Sequence, residues 1–184
     1  MKIGTHNGIF HADDCFAVAA ILSLSKGPHE IVRTRDDAVL DTCDVVVDVG
    51  GVHAPARGRF DHHQRGGAGK RENGVPFSSF GLIWQHFGAA ICGDDERVAA
   101  KVDCTLVQSV DAADCGIDLQ GAPLMEGVRS FSVSGAISLL NPTWEEEGDF
   151  DGAFASAVEM AELVLRRAIA SARGSANASA TIAE

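Results

Sequence analysis

The sequence predicts an α/β fold, a mostly parallel sheet with helices on both of its faces, and three observations carry that expectation. Short apolar runs alternate with longer stretches of helical periodicity, the pattern of strands joined by crossover helices. The run Asp44-Val45-Val46-Val47-Asp48-Val49, closed by Gly50-Gly51, is apolar almost without interruption, as a strand covered on both faces requires. Acids and histidines follow directly on the expected strands, at the sheet edge where such folds gather ligands.

In chain order, residues 2–5 read as a strand, and after the Asn7-Gly8 turn signal residues 13–25 read as a helix with acids in its first turn and Gly27-Pro28 ending it. Residues 30–34 form a second strand, 36–42 a short helix opened by acids, and 44–49 the central strand. Residues 59–63 read as a strand end or tight turn, followed by a glycine-rich loop over 66–74. Residues 78–87 and 96–110 read as helices, the second with Val98, Val102, Leu106 and Val110 on one face. Residues 141–148 form a loop, and 151–167 a helix with its acids early and Arg166-Arg167 late, matching the helix dipole. Residues 171–184, rich in Ala and Ser, are expected to be a frayed or disordered tail, leaving residues 1–170 as the domain.

With 184 residues, 46% of them hydrophobic, the chain suits one globular domain with a real core. No apolar run approaches the roughly 18 residues of a membrane span, and the start carries no export signal, so a cytoplasmic protein without membrane contact is expected. The five cysteines show no C-x-x-C spacing, which favours reduced, mostly buried thiols over a zinc knuckle or a disulfide framework. A net charge of −11 repels nucleic acid from the molecule as a whole, so contact with it has to be local. One stretch offers such a place: Arg57, Arg59, Arg65, Lys70 and Arg71 stand against the single acid Asp61.

The chemistry sits in segments that bring acids and histidines to the sheet edge: residues 6–14, Asp48, Asp61-His62-His63 and residues 111–114. Taken singly, His6 reads as well as a structural histidine, Asp48 as a turn cap, and Asp111 or Asp114 as helix-terminal acids. The triplet is more specific, arising by chance in about a few per cent of sequences of this composition. Together they favour a metal site built from His6, His11, Asp13, Asp48, His62 and Asp111. Carboxylate oxygens and neutral imidazoles suit manganese or magnesium; zinc and iron are disfavoured because no thiolate is suitably spaced. Two such cations about 3.5–4 Å apart activate a water and clamp a phosphoryl oxygen.

The segments Thr5-His6-Asn7-Gly8-Ile9-Phe10-His11-Ala12-Asp13-Asp14, Ile31-Val32-Arg33-Thr34-Arg35-Asp36, Asp44-Val45-Val46-Val47-Asp48-Val49-Gly50-Gly51 and Asp61-His62-His63-Gln64-Arg65, in this order and spacing, resemble the Myg-type (melanocyte proliferating gene one) nuclease family of the DHH phosphoesterase superfamily. Ser78-Ser79-Phe80-Gly81-Leu82-Ile83, Val110-Asp111-Ala112-Ala113-Asp114-Cys115-Gly116 and Leu140-Asn141-Pro142-Thr143-Trp144 extend the resemblance over about residues 1–165. It implies a DHH-like fold and a phosphodiesterase, most simply a 3'-5' exonuclease on single-stranded RNA or short oligonucleotides, using two divalent cations, manganese before magnesium. In that scheme His6 and Asp111 hold one metal, His11 or Asp13 together with His62 the other, and Asp48 bridges them. Asp61 orients the neighbouring imidazole, His63 faces the phosphate, and Arg65 and Arg35 contact its oxygens.

The chain departs from that pattern in two ways. Superfamily members resemble a two-domain clamp, and this chain stops where the second domain would begin, so the substrate-gripping half is either missing or supplied by another chain, a homo-oligomer or a partner that completes the cleft. His11 stands where more distant members place an acid, which leaves the roles of His11, Asp13 and Asp14 open. Two other readings keep the same residues: a hydrolase of pyrophosphate or a small nucleotide, which suits the acidic surface, and a non-catalytic domain that binds a nucleotide or a partner.

Overall fold

Ile3 and Gly4 point to opposite faces of the first strand, β1 (Lys2–Thr5), and what covers each face sets the architecture. The computed structural model describes residues 1–182 apart from 26, 120, 122–124 and 129. Beside β1 lie β2 (Glu30–Arg33), β3 (Val45–Val47), β4 (His53–Ala54) and β5 (Arg59–Phe60), in the order β2-β1-β3-β5-β4. Every pairing is parallel except β4 against β5. The fold is therefore α/β with a mostly parallel sheet, as the alternation of runs predicts. The antiparallel β4 was not anticipated; His53-Ala54 is too short to show a period.

On one face Ile3, Val47 and Phe60 meet the main helical layer: α1 (Ala12–Leu24), α3 (Ser79–Ile91), α4 (Glu96–Val102) and α7 (Phe150–Ile182). Helix α1 is buried all round from Ala12 to Ile21, which explains why its apolar residues form no stripe. Phe16 of α1 stacks on Phe80 of α3 with ring centroids 5.1 Å apart. On the other face the short α2 (Asp37–Leu40) supplies Leu40, which packs with Cys43, Val46 and Val49. A side chain at Gly4 would press on Leu40, Cys43 and Val46, so glycine makes room for this thin layer. Helical cover is thus unequal on the two faces.

The stretch expected as one helix over 96–110 is α4, a π-helical turn over Asp103–Val107, and α5 (Gln108–Asp114). Val98, Val102, Leu106 and Val110 are all buried, as their spacing predicts. A further short helix, α6 (Val133–Ser138), is capped by Ser132, whose Oγ accepts from the Gly135 amide.

Helix α7 continues well past residue 170, through a stretch expected as a frayed or disordered tail; residues 183 and 184 lie outside the described ones. Alanine is the strongest helix former, Ala172 is buried, and the Arg173 guanidinium donates to the Cys92 carbonyl at 2.8 Å, so the extension has both propensity and an anchor. All five cysteines are free. Among the described residues no helix is long and apolar enough to cross a membrane.

Candidate metal centre

Three parallel strands deliver the first part of the site. β1 ends at Thr5 and hands over to His6, β3 ends at Val47 and hands over to Asp48, and β5 ends at Phe60 before Asp61-His62-His63. Since β1, β3 and β5 are adjacent, their carboxyl ends lie side by side. The fourth contribution is the N-terminus of α1, with Asp13 and Asp14 in its first turn.

Asp48 is the hub. Its backbone takes the left-handed conformation, φ 57°, which few residues other than glycine adopt and which Asp tolerates better than most. One carboxylate oxygen, Oδ2, lies 3.3 Å from His6 Nε2 and the other, Oδ1, 3.2 Å from His62 Nε2. The Ser79 hydroxyl donates to Oδ1 at 3.1 Å and the Ser79 amide to Asp13 Oδ2 at 3.3 Å, so the start of α3 holds two of the carboxylates.

His6 Nδ1–H donates to the Asn7 carbonyl at 3.2 Å, which fixes the tautomer and turns Nε2 toward Asp14 Oδ2, 3.1 Å away, and Asp48. A lone pair facing two carboxylates is repelled unless a proton or a metal ion stands between them. His62 Nε2 is in the same position, 3.2 Å from Asp114 Oδ2 and 3.8 Å from Asp13 Oδ2 besides Asp48. These distances are short enough for ion pairs. His62 Nε2, Asp13 Oδ1 and Asp14 Oδ2 are buried without any hydrogen-bond partner. Donor atoms aimed at a common space without bonding one another are what a cation needs, and this donor set fits a divalent ion.

The donors form overlapping groups: His6, His11 and Asp48; Asp48, His62 and His63; His11, Asp13 and Asp114; and His62, Asp114 and Cys115. His6, His11, Asp13, Asp48 and His62 are therefore brought together as the sequence suggested, with Asp48 common to two groups. His11 falls with His6 as well as with Asp13. Asp14 instead braces the loop: its Oδ1 accepts from the His11 and Cys15 amides at 3.1 and 2.7 Å.

Asp111 is not among these donors. It is fully buried between α3 and Arg71, where Oδ1 accepts from the Ser78 hydroxyl at 2.6 Å and the Gly81 amide at 2.9 Å, and Oδ2 from the Arg71 guanidinium at 2.6 Å. A methyl group at Gly81 would run into that carboxylate. The sequence reading pairs Asp111 with His6; the acid of this helix that reaches the cluster is instead Asp114, one turn further on, which stands 3.2 Å from His62. Spacing alone does not separate them, because residues i and i+3 share a helix face.

Asp61 is buried and accepts from the Gly51 amide and from His63, whose Nδ1–H lies 2.8 Å from Oδ1. The imidazole it orients is thus that of His63, whose side chain remains 60% exposed. Arg65 and Arg35 are both exposed. Of the other basic residues, Arg71 is engaged by Asp103 and Asp111, and Arg59 donates to the Leu40 and Cys43 carbonyls, so the basic cluster is partly structural. Asn141 has a role that spacing gave no means to foresee. Its side-chain amide pairs both ways with the Phe10 backbone, at 3.0 and 2.9 Å, and fixes the loop that carries His11.

Electrostatics follow from this crowding. Burial alone would lower the pKa of His6, but Asp14 and Asp48 outweigh it and lift it to about 10; Asp48, Cys115 and Asp114 do the same for His62. Burial also works against ionised Asp48, yet the two imidazoles hold its carboxyl well below the ordinary range. Asp13 is pushed well above its ordinary value by burial and by Asp48 and Asp114. In the metal-free protein the raised histidines stabilise the fold fully below pH 6.5, and that contribution is lost as pH rises through about 10. A metal ion has to displace those protons. Calorimetry of manganese binding in buffers of different ionisation enthalpy is expected to show proton release at pH 7.5 and an affinity that climbs between pH 6.5 and 9. Binding independent of both pH and buffer is the contrary result.

Fold and site together define an α/β protein with a candidate divalent-metal centre at the carboxyl edge of its sheet. Over residues 2–184 the chain matches the family model MYG1_exonuc, described as Uncharacterised protein family (UPF0160), and it belongs to that family. It is 37% identical over 180 residues to MYG1 exonuclease of Homo sapiens, covering 88% of this chain and 48% of that protein. The Bos taurus MYG1 exonuclease is 38% identical over 180 residues, covering 86% and 47%. A MYG1 protein of Schizosaccharomyces pombe is 36% identical over 166 residues, covering 82% and 51%. The chain thus spans about half the length of the curated relatives it matches. No solved structure matches it significantly.

Proposed function

We propose that this chain is the metal-binding half of a phosphodiesterase of the DHH phosphoesterase type, acting as a 3'-5' exonuclease on single-stranded RNA or short oligonucleotides in the cytoplasm, with residues 1–170 as its functional unit. The single observation that carries the reading is the Asp48 carboxylate shared between His6 and His62, the geometry of a bridging ligand. Two divalent cations, manganese before magnesium, would be held by His6, His11 and Asp48 on one side and by Asp48, His62, Asp13 and Asp114 on the other; when bound they supply a nucleophilic water and neutralise charge on a phosphoryl oxygen.

The remaining roles belong to the chain's own side chains. His63 is anchored through Nδ1–H by buried Asp61 and its side chain is exposed, so as the imidazolium it can donate from Nε2 to a phosphate oxygen or pass a proton to a leaving group. Arg65 and Arg35 are free to make charge-assisted contacts with phosphates further along a strand.

The test is manganese-dependent release of mononucleotides from a short single-stranded RNA. Product is expected with metal, none with chelator, and none from His62→Ala. The acidic charge of −11 favours a second reading in which the substrate is a small phosphorylated molecule. Turnover of pyrophosphate or mononucleotides without attack on RNA would select it, and metal binding without any turnover would select a non-catalytic domain.

A further inference from the structure

At the outer end of the centre is a donor of different chemistry. Cys115 follows Asp114 at the end of α5, held there by its backbone N–H, which donates a hydrogen bond to the Asp111 carbonyl at 2.9 Å. Ligand atoms of Cys115, Asp114 and His62 lie within 4.8 Å of one another, and the thiol is free and half-buried. Two further atoms point to a ligand at this place. His62 Nε2 is enclosed and unbonded although Asp114 Oδ2 is 3.2 Å away. Asp13, whose side chain is 0% exposed, stands in a donor group with the same Asp114 and leaves its Oδ1 without a partner.

We propose that Cys115 is a thiolate ligand which, with His62 and Asp114, binds a thiophilic divalent ion such as zinc or cobalt. The inference rests on reading the cluster as a metal centre and adds to it a determinant of metal choice. Every other donor in the cluster is a carboxylate oxygen or an imidazole nitrogen, whereas sulfur favours zinc and cobalt over manganese and magnesium. On binding, the S–H bond breaks, the electron pair stays on sulfur and is shared with the ion, and the proton leaves to solvent; no oxidation state changes. Because His62 also faces Asp48, an ion held by Cys115 draws on the imidazole the shared carboxylate needs. Zinc therefore competes with the paired-metal arrangement, and one sulfur atom decides how strongly.

The experiment is a cobalt(II) titration of the full chain and of Cys115→Ser followed by absorbance, alongside zinc and manganese calorimetry on both. The wild-type protein should develop a saturable thiolate-to-cobalt charge-transfer band in the near ultraviolet. Cys115→Ser should lack the band, bind zinc on the order of tenfold more weakly or worse, and keep its manganese affinity. Manganese binding with no band in the wild-type protein, or a band that survives in Cys115→Ser, overturns the role of Cys115 and leaves the metal centre standing. If neither manganese nor cobalt binds, both readings fall together.

Discussion

Replacing Arg71 with Met is expected to destabilise the protein by about 3–5 kcal/mol, because it leaves the carboxylate of Asp111 buried without its cation. In a domain of this size that corresponds to a fall in Tm of roughly 6–20 °C. Arg71 is only 11% exposed at its side chain and Asp111 not at all, so water cannot replace the lost partner. Methionine keeps the apolar stem beside Phe77, over whose ring the guanidinium carbon lies 4.4 Å from the centroid, and so isolates the charge. Burial, opposed by Ser78 and Arg71, already raises the Asp111 pKa, so without Arg71 the carboxyl takes up a proton sooner and the deficit should shrink as pH falls. Adding Asp111→Asn should recover most of the loss, since an amide oxygen still accepts from Ser78 and Gly81. Thermal melts of the three variants against pH check this. Asp111→Asn alone should also leave manganese affinity intact, and a collapse of affinity there would restore Asp111 as a ligand in place of Asp114.

Asp48→Asn should leave the fold intact and remove the function. Asparagine tolerates the left-handed backbone at φ 57° and still accepts from the Ser79 hydroxyl, so the loop after β3 keeps its shape. What disappears is the negative charge shared between His6 and His62. Altering an outer partner of a metal ligand already costs about 10–100-fold, so losing the bridge itself should weaken manganese binding and any hydrolysis by at least about 100-fold. The pKa values of His6 and His62 should fall toward the ordinary range in the metal-free variant, visible by NMR titration of the imidazoles. Full activity in a properly folded Asp48→Asn would end the bridging role.

Strand ends are legible in sequence because an apolar run closed by a polar residue marks both the strand and its carboxyl edge. The common placement of His6, Asp48 and His62 at one sheet edge is read in this way, and so is the mostly parallel sheet. The choice between Asp111 and Asp114 was not legible, because it depends on where the start of α3 lies: Ser78 and Gly81 claim Asp111, and only the folded packing shows that Asp114 is left to face His62. Arg71 read as a phosphate contact because sequence shows its charge and not the buried acids that absorb it. Cys115 was passed over since no second cysteine stands near it, while its actual neighbours are a histidine 53 positions earlier and the preceding aspartate. For residues 171–182, low hydrophobicity pointed to a tail, and the helix propensity of alanine with the Arg173 anchor pointed the other way.

The most direct measurement is a manganese titration of the wild-type chain by calorimetry at pH 8. Saturable binding of two ions per chain, weakened together by His62→Ala and Asp48→Asn, is the predicted result. No binding, or binding that neither substitution changes, would contradict the claim that Asp48 joins His6 and His62 in one metal centre.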